Sequence, residues 1–256
     1  MRQLLACVVA LAGCAFQPPE GEAQPAEDEP APDGPAALVP CSVTGAKLCI
    51  ELEDAESWPR DASGRDLAVS AARVSREDSE DTLGHAVQLG TDSELHVAES
   101  QTLDIRGAIT IEMWILGGGL SYGRQTFLLD NDQQYSMSIS DSLELRCAID
   151  DVDADANGFS LIGGWHHVAC TYDKDQLRVY VDGQLRDCQS SNKEIPIGNS
   201  AGTAIGANLA GTTRSDPFLG RLDNIHVYDR RLAGSELCAL ANQAGCGDTC
   251  PSGGGG

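Results

Sequence analysis

The stretch at residues 163–188, GGWHHVACTYDKDQLRVYVDGQLRDC, restricts the fold of this chain more than any other. Asp182-Gly183 separates two runs of alternating character, and this dipeptide favours a two-residue hairpin turn because both turn positions need positive φ. The residues DKDQ connect the preceding pair of runs. We therefore predict three consecutive antiparallel strands, with Tyr172 opposite Leu177.

Short alternating runs separated by turn residues continue from about residue 48, and no long helical period interrupts them. Many short strands at close spacing are typical of an antiparallel β-sandwich. An amphipathic helix is predicted to start at Ser235, with Leu237 and Leu240 facing inward. The predicted strands cover residues 48–53, 85–89, 94–97, 108–116, 126–130, 135–139, 143–149, 165–172, 176–181, 184–188, 203–207 and 221–228.

The N-terminal residues resemble a bacterial lipoprotein signal. Arg2 precedes a short apolar run, and the sequence LAGC ends at Cys14. The resemblance implies a signal peptide at residues 1–14 and lipidation of Cys14; an ordinary secretory peptide with a chance cysteine is the alternative. Residues 15–40 hold seven prolines, six carboxylates and no basic residue, which predicts an extended, solvated tether. We expect a lipid-anchored protein of the bacterial cell envelope, at the outer membrane or cell surface.

The chain is strongly acidic, with 39 acidic against 17 basic side chains and a formal net charge of -22. A surface of this charge repels polyanions. Nucleic acid is therefore excluded as a partner, and anionic lipid is disfavoured.

Eight cysteines follow the signal segment, an even number that suits four disulfides in an oxidising compartment. Cys170 and Cys188 belong to strands with a third strand between them, about 10 Å apart and beyond the reach of a disulfide. Cys147 is therefore the better partner for either. Local closures are expected for Cys41 with Cys49 and for two of the trio Cys238, Cys246 and Cys250, whose third member needs a distant partner.

Strand alternation also limits what the aromatic and histidine side chains do. His166 and His167 are adjacent in a strand, so they point to opposite faces and cannot share one metal ion or one substrate atom. Each is expected to be a hydrogen-bonded strand residue. Trp114 and Trp165 lie within strands and are expected in the core.

Residues 150–159, DDVDADANGF, contain the most suggestive polar pattern. Asp153, Asp155, Asn157 and Gly158 reproduce the first half of a calcium-binding loop, in which alternating oxygens converge on one cation. The position of the bidentate glutamate is Gly164, which excludes an EF-hand. The segment is predicted as an acidic hairpin loop, with calcium binding as the alternative.

Three blocks resemble the laminin-G-like jelly-roll domains of the concanavalin A-like lectin/glucanase superfamily. They are residues 86–115, the stretch GWHHVACTYDKDQLRVYVDGQ, and residues 218–237. In addition, SGRD at residues 63–66 occupies the place after the first strand where such domains often carry a short D-x-S-G segment. The resemblance implies an all-β jelly roll over residues 41–245, followed by a Cys/Gly-rich tail at 246–256. It also implies a structural calcium ion, for which the matching acidic positions are Asp54, Asp61 and Asp223.

This family contains glycan binders, protein binders and hydrolases, so the fold alone does not define a function. Retaining glucanases place E-x-D-x-x-E on one strand, and ELEDAE here gives Glu51, Glu53 and Glu56 without the central aspartate. We therefore expect a non-catalytic module that binds a glycan or a protein. The alternatives are a glucanase-type glycoside hydrolase and a structural cell-envelope protein without a small ligand.

Overall fold

The computed structural model describes residues 45–53, 56–79, 84–132, 134–158, 161–197 and 201–250. Cys14, the predicted tether and Cys41 lie outside these ranges, as do Asp54 and the last six residues of the predicted tail. Within the described part of the chain, no helix is long and apolar enough to cross a membrane.

The described residues form many short strands and one helix. In chain order they are β1 (Leu48–Glu51), β2 (Arg60–Asp61), β3 (Val69–Ala72), β4 (Ser75–Asp78), β5 (His85–Leu89), β6 (Glu94–Val97), β7 (Ile109–Gly117), β8 (Thr126–Asn131), β9 (Tyr135–Ile139), β10 (Leu145–Ile149), β11 (Val152–Asp155), β12 (Trp165–Tyr172), β13 (Gln176–Val181), β14 (Gln184–Ser190), β15 (Thr203–Ile205), β16 (Asn208–Ala210), β17 (Thr213–Ser215), β18 (Gly220–Tyr228) and α1 (Gly234–Leu240).

Two antiparallel sheets face each other. Among the described residues, the nine-stranded sheet runs β14-β13-β12-β7-β18-β1-β2, and β5 also pairs with β18 and carries β4 at its other edge. The seven-stranded sheet runs β11-β10-β9-β8-β15-β6-β3. This is the predicted all-β sandwich with a short C-terminal helix.

The core lies between the two sheets and is filled by alternate residues of each strand. Ile111 and Met113 of β7 and Val168 of β12 face it from the nine-stranded sheet, while Met137 and Leu145 face it from the other. Each side chain of this kind stabilises the fold by roughly 1.5–3 kcal/mol when it is fully buried. The core therefore fixes which face of each strand points outward.

The predicted three-stranded unit is confirmed. Tyr172 pairs with Leu177 and Val181 pairs with Gln184. Asp182 and Gly183 have φ values of 52° and 71°, as the two-residue turn requires.

Residues 150–159 differ from the prediction of a loop. Ile149 pairs with Val152, so Asp150 and Asp151 alone form the turn, and Val152–Asp155 forms strand β11. Ala154 is buried in the core, and it supplies the inward contact that holds the strand. Aspartates on the outer face hid this alternation, because aspartate is rare in strands.

Other differences concern short strands and strand ends. The first strand ends at Glu51 rather than at residue 53, and Leu52 then turns into the core. β2, β3, β4, β16 and β17 were not predicted, because they have at most four residues and carry small or polar side chains. The helix begins at Gly234, one residue before its predicted start, and Leu237 is buried as expected.

Three disulfides connect described cysteines. Cys147 on β10 is bonded to Cys170 on β12, which links the two sheets and confirms one of the two predicted partners. Cys238 is bonded to Cys246, and Cys250 takes Cys188 as the distant partner that the trio needed. Cys41 lies outside the described residues, so its pairing with Cys49 stays a prediction.

The outer faces of the two sheets carry different covers. α1 and the residues after it pack on the nine-stranded sheet, where Tyr180, Tyr228 and Leu237 form a second apolar cluster. Tyr180 Oη donates to Asp248 Oδ1 at 2.5 Å, and Arg231 also contacts Asp248.

The hairpin of β16 and β17 is bound to the seven-stranded sheet through two carboxylates. The backbone N–H of Leu209 donates to Asp130 Oδ2 at 2.6 Å. The N–H of Gly211 donates to Asp132 Oδ2 at 3.1 Å. Asp130 points away from the core, because Leu129 before it points inward.

Candidate ligand-binding site

One end of the sandwich holds an open pocket with a volume of about 360 Å³. β1 and β7 begin at this end and β18 finishes there, since Leu48 pairs with Val227 and Thr110 pairs with Tyr228. Polar side chains from the adjoining loops line the opening. We refer to it as the basic pocket, because its lining includes Lys47, Arg65 and Arg106.

Lys47 is fixed at the pocket wall by an ion pair. Its Nζ lies 2.8 Å from Asp229 Oδ2, and its backbone N–H donates to Val227 O at 2.6 Å. The ammonium is thus partly neutralised by its neighbour. The ion pair joins the start of β1 to the end of β18. Lys47 therefore contributes to the shape of the pocket and adds little to its net charge.

Arg65 is presented by a tight loop that Asp61 holds in place. Asp61 Oδ1 accepts the N–H groups of Cys49 at 3.1 Å and Ser63 at 3.0 Å. Asp61 Oδ2 accepts Ser63 Oγ at 2.8 Å and the N–H of Leu67 at 3.2 Å. The SGRD segment noticed in the sequence is therefore the loop that carries Arg65 into the pocket.

Arg106 belongs to a second ordered loop, residues 98–108. Leu103 and Ile105 are buried in the core on either side of Asp104. Gln134 Nε2 donates to Asp104 Oδ1 at 2.8 Å, and the N–H of Ile195 donates to Arg106 O at 3.0 Å. Both arginine-bearing loops are thus preformed, which lowers the entropic cost of binding.

A second opening of about 400 Å³ lies beside β4 and β5, but its polar groups are occupied by the protein itself. Arg73 Nε donates to Asp92 O at 2.6 Å, and Ser93 Oγ donates to Arg73 O at 2.6 Å. Gln88 Nε2 donates to Gly220 O at 3.0 Å. The basic pocket is the better candidate site, because its arginines are not used in this way.

A buried ionic cluster that the sequence pattern did not predict lies on the outer face of the nine-stranded sheet. Glu112 is only 1% exposed and lies between His167 and His226 of the two neighbouring strands. His167 Nε2 is 3.1 Å from Glu112 Oε2, and His226 Nδ1 contacts Oε1. Burial raises the pKa of Glu112, but the charge of His226 and hydrogen bonds from both histidines outweigh it and lower the pKa to about 2.

This cluster is structural, because its members are almost wholly enclosed. One feature of the sequence indicated its place: Glu112 lies between Ile111 and Met113, which face the core, so its side chain points to the outer face of the sheet. The two adjacent histidines behave as predicted. His166 turns to the other face, where its Nδ1 lies 2.9 Å from Asp182 Oδ2, and that hydrogen bond raises the pKa of His166 despite partial burial.

The predicted calcium residues that the structure describes are not brought together. Asp155 binds Arg146 through two hydrogen bonds of 2.8 and 3.1 Å, while Asp153 and Asn157 are exposed. Both oxygens of Asp61 serve the loop described above. Asp223 is buried on β18, where its Oδ1 accepts the N–H of Asn224 at 2.7 Å.

Within the described ranges, no group of three or more His, Cys, Asp or Glu side chains is arranged to hold a metal ion. Asp54 lies outside those ranges. Calcium binding stays a prediction.

The glucanase pattern is broken by the backbone. β1 ends at Glu51, so Glu53 and Glu56 do not follow it on one strand face. Glu53 instead accepts the N–H of His85 at 3.0 Å, and its Oε2 is 3.1 Å from His85 Nδ1.

The tryptophans differ from expectation. Trp114 and Trp165 are half-buried and belong to neither apolar cluster. Trp114 instead makes an edge contact with the ring of His167, with the centroids 5.6 Å apart. Its outward position on β7 places it over the ionic cluster rather than in the core.

Two facing antiparallel sheets with this strand order define a lectin-like jelly roll. The chain belongs to the Laminin_G_3 family, of the concanavalin A-like lectin/glucanases superfamily, whose model matches residues 89–238. Comparison with curated protein sequences finds no match.

Several similar solved structures are described as binding domains. The chain is similar to the binding domain of Paraclostridial Mosquitocidal Protein 1, with a TM-score of 0.63 and 20% identity over 77% of this chain and 51% of that one. It is similar to Domain 4 of AbnA, a GH43 extracellular arabinanase from Geobacillus stearothermophilus, in complex with arabinotriose. That TM-score is 0.56, with 18% identity over 71% of this chain and 92% of that domain.

A third similar structure is the binding domain of Botulinum Neurotoxin DC in complex with SialylT. The TM-score is 0.59, with 16% identity over 78% of this chain and 51% of that one. The same neurotoxin domain is also known in complex with rat synaptotagmin II. The chain spans about half the length of these toxin domains, and likenesses at such low identity establish the fold alone.

Proposed function

We propose that this chain is a non-catalytic glycan-binding module, carried by a lipid-anchored protein of the bacterial cell envelope. The basic pocket is the observation on which this proposal rests. Its volume of about 360 Å³ falls at the lower end of the range of ligand sites, roughly 300–1,000 Å³. Its polar lining offers hydrogen bonds to a hydroxylated ligand. The sequence pattern around Cys14 supports the lipid anchor.

The similar structures support binding as the role of the fold. One of them is in complex with arabinotriose, and another is in complex with SialylT. A protein ligand is the second candidate, because the neurotoxin domain also binds rat synaptotagmin II. A glycan is favoured here because the pocket is small, polar and preformed, whereas protein partners usually require a larger and more apolar contact surface.

The acids of the pocket support binding rather than hydrolysis. Asp229 is paired with Lys47, and Asp104 accepts a hydrogen bond from Gln134. Glycoside hydrolysis needs one carboxyl as a proton donor and a second as a nucleophile or base. Glu51, Glu53 and Glu56 lack the one-strand spacing that such a pair has in retaining glucanases, because β1 ends at Glu51.

The full chain, fluorescently labelled, tests this proposal on a glycan array. We expect a restricted set of glycans to be retained. Gly107→Trp should abolish retention, because a Cβ at Gly107 meets open space and the ring then fills the pocket. Gly247→Trp is the matched control, since its Cβ also meets open space but lies away from the pocket.

Three results contradict the proposal. They are no glycan retained, retention unchanged in Gly107→Trp, and release of reducing sugars from a β-glucan panel. Capture of a specific protein without any glycan binding favours the second candidate and overturns the first.

A further inference from the structure

The basic pocket differs in charge from the rest of the molecule. The chain carries 39 acidic and 17 basic side chains, yet three cations meet at this one opening. Asp229 neutralises Lys47, and Asp104 is hydrogen-bonded to Gln134. Gln134 is neutral, so Asp104 keeps its negative charge, and with Arg65 and Arg106 the pocket carries one net positive charge.

Neither of these guanidinium groups forms an ion pair or a hydrogen bond with any residue that the structure describes. Glu194 is attracted to the charge of Arg106 but forms its hydrogen bond and ion pair with Lys174, which lower its pKa more. Arg65 and Arg106 therefore place two guanidinium groups at one cavity with no hydrogen-bonded carboxylate among the described residues.

Arginine binds carboxylates through two parallel N–H···O bonds, and a charged bond of this kind is stronger than a neutral one. A neutral sugar in the pocket would leave both guanidinium groups without an anion. A polyanion would meet the field of the whole chain, which is repulsive at -22. A ligand with a single negative charge satisfies both conditions.

We propose that the basic pocket binds glycans that end in one carboxylate-bearing sugar, with Arg65 and Arg106 as the carboxylate-binding residues. This inference rests on the proposed function and specifies its ligand class. The two arginines come from separate loops, each fixed by buried or hydrogen-bonded neighbours. The backbone of each loop is therefore already in place, and binding has to order only the two exposed side chains.

Titration calorimetry with the full chain tests the inference on two ligand pairs. Methyl glucuronide is compared with methyl glucoside, and a sialyl-capped trisaccharide is compared with its uncapped form. We expect each acidic ligand to bind at least about tenfold more tightly than its neutral partner, since one charged hydrogen bond is worth roughly that factor. Added salt should weaken only the acidic ligands.

Arg65→Ala and Arg106→Ala should each reduce affinity for the acidic ligands by about tenfold or more, and by a larger factor than for the matched neutral ligands, because only the acidic ligands lose a charged hydrogen bond. Arg124→Ala is the control: it removes the same charge from an exposed residue in the loop after β7, whereas the basic pocket lies before β7 begins. It should change affinity less than about twofold at physiological salt, because distant exposed charges are screened. Thermal unfolding curves of all three variants verify that they are folded.

Two failures are distinguishable. Equal affinity for acidic and neutral ligands, unaffected by Arg65→Ala and Arg106→Ala but lost in Gly107→Trp, overturns the acidic-sugar inference and leaves the proposed function standing. Absence of binding by any acidic or neutral glycan overturns both. Tight binding of heparin in preference to the single acidic sugars also overturns the inference, since it would assign the site to polyanions.

Discussion

The two outer faces of the sandwich bury Glu112 and Asp130, two carboxylates in opposite electrostatic surroundings. On the nine-stranded sheet, Glu112 has a histidine on each side, and its pKa is lowered to about 2 although burial acts in the other direction. On the seven-stranded sheet, burial raises the pKa of Asp130 to about 6. The N–H of Leu209 opposes that shift, and the charge of Asp132 adds to it.

The comparison shows that burial alone does not decide whether a charge stabilises the fold. A buried charge with partners costs little in its folded setting, and removing one partner leaves the others uncompensated. A buried charge without a cation retains most of its desolvation cost. The first face is therefore locked by its ionic cluster, and the second stores a free-energy cost at neutral pH.

Of the variants that test this comparison, Glu112→Gln should change the stability of the protein most. It leaves His167 and His226 buried without their anion, and we expect unfolding free energy at pH 7 to fall by about 3–5 kcal/mol. Urea denaturation measures the loss. Glu194→Gln, at an exposed ion pair, serves as the control and should change stability by less than about 0.5 kcal/mol. A loss in Glu112→Gln as small as the control would show that the cluster does not lock its face.

Removal of the disulfide between Cys188 and Cys250 should come next. This bond closes 62 residues and holds the C-terminal segment over the nine-stranded sheet, so replacing both cysteines by serine should cost about 2–4 kcal/mol. The bond between Cys238 and Cys246 spans only eight residues, and its removal should cost about 1–2 kcal/mol less. Guanidinium unfolding of the two double variants compares them. Equal losses would contradict the loop-length argument.

Asp130→Asn should act in the opposite direction and stabilise the protein. The neutral amide still offers an oxygen to the N–H of Leu209 but carries no desolvated charge, so we expect a gain of about 1–3 kcal/mol at pH 7. Asp153→Asn on β11 is exposed and should be neutral within about 0.5 kcal/mol. Destabilisation by Asp130→Asn would mean that the carboxylate has an unrecognised stabilising role.

The smallest and most specific effect is the pH dependence of the stability differences between the wild type and the variants Asp130→Asn and Glu112→Gln. The pKa of Asp130 is raised in the folded state, so its cost is complete above about pH 6 and disappears as pH falls below its ordinary 3.8. The advantage of Asp130→Asn should therefore shrink over that range. The pKa of Glu112 is lowered, so its stabilisation is complete above 4.5 and disappears as pH falls toward about 2.

The wild-type chain should accordingly lose its excess stability over Glu112→Gln only below pH 4.5. Urea midpoints measured at intervals from pH 7 to pH 3 follow both differences. Parallel curves for the wild type and both variants would contradict the two pKa assignments.

Local patterns predicted most of the scaffold. Asp182-Gly183 defined a hairpin, and the inward residues of β7 and β12 alternated clearly enough to give strand and register. Where outward residues were acidic and inward ones small, as in β11, the alternation was hidden. Ala154 is buried in the core, but alanine is depleted in strands and so did not indicate one.

The functional groups were harder to predict, because residues far apart in the sequence come together only when the strands pair in the folded protein. Glu112 bonds to residues 55 and 114 positions away along the chain, and neither distance leaves a local pattern. The basic pocket draws on four separated segments, at Lys47, Arg65, Arg106 and Asp229. The sequence drew attention to SGRD and to Asp61. It did not indicate that Asp61 holds the loop through which Arg65 lines the pocket.

The pairing of β1 with β18 places the proposed binding site at the first described residues of the chain. Lys47, directly before β1, lines the pocket and forms an ion pair with Asp229, directly after β18. If the protein is anchored through its N-terminal segment, as we propose, the pull of a bound ligand passes to that segment across one strand junction and does not load the body of the sandwich.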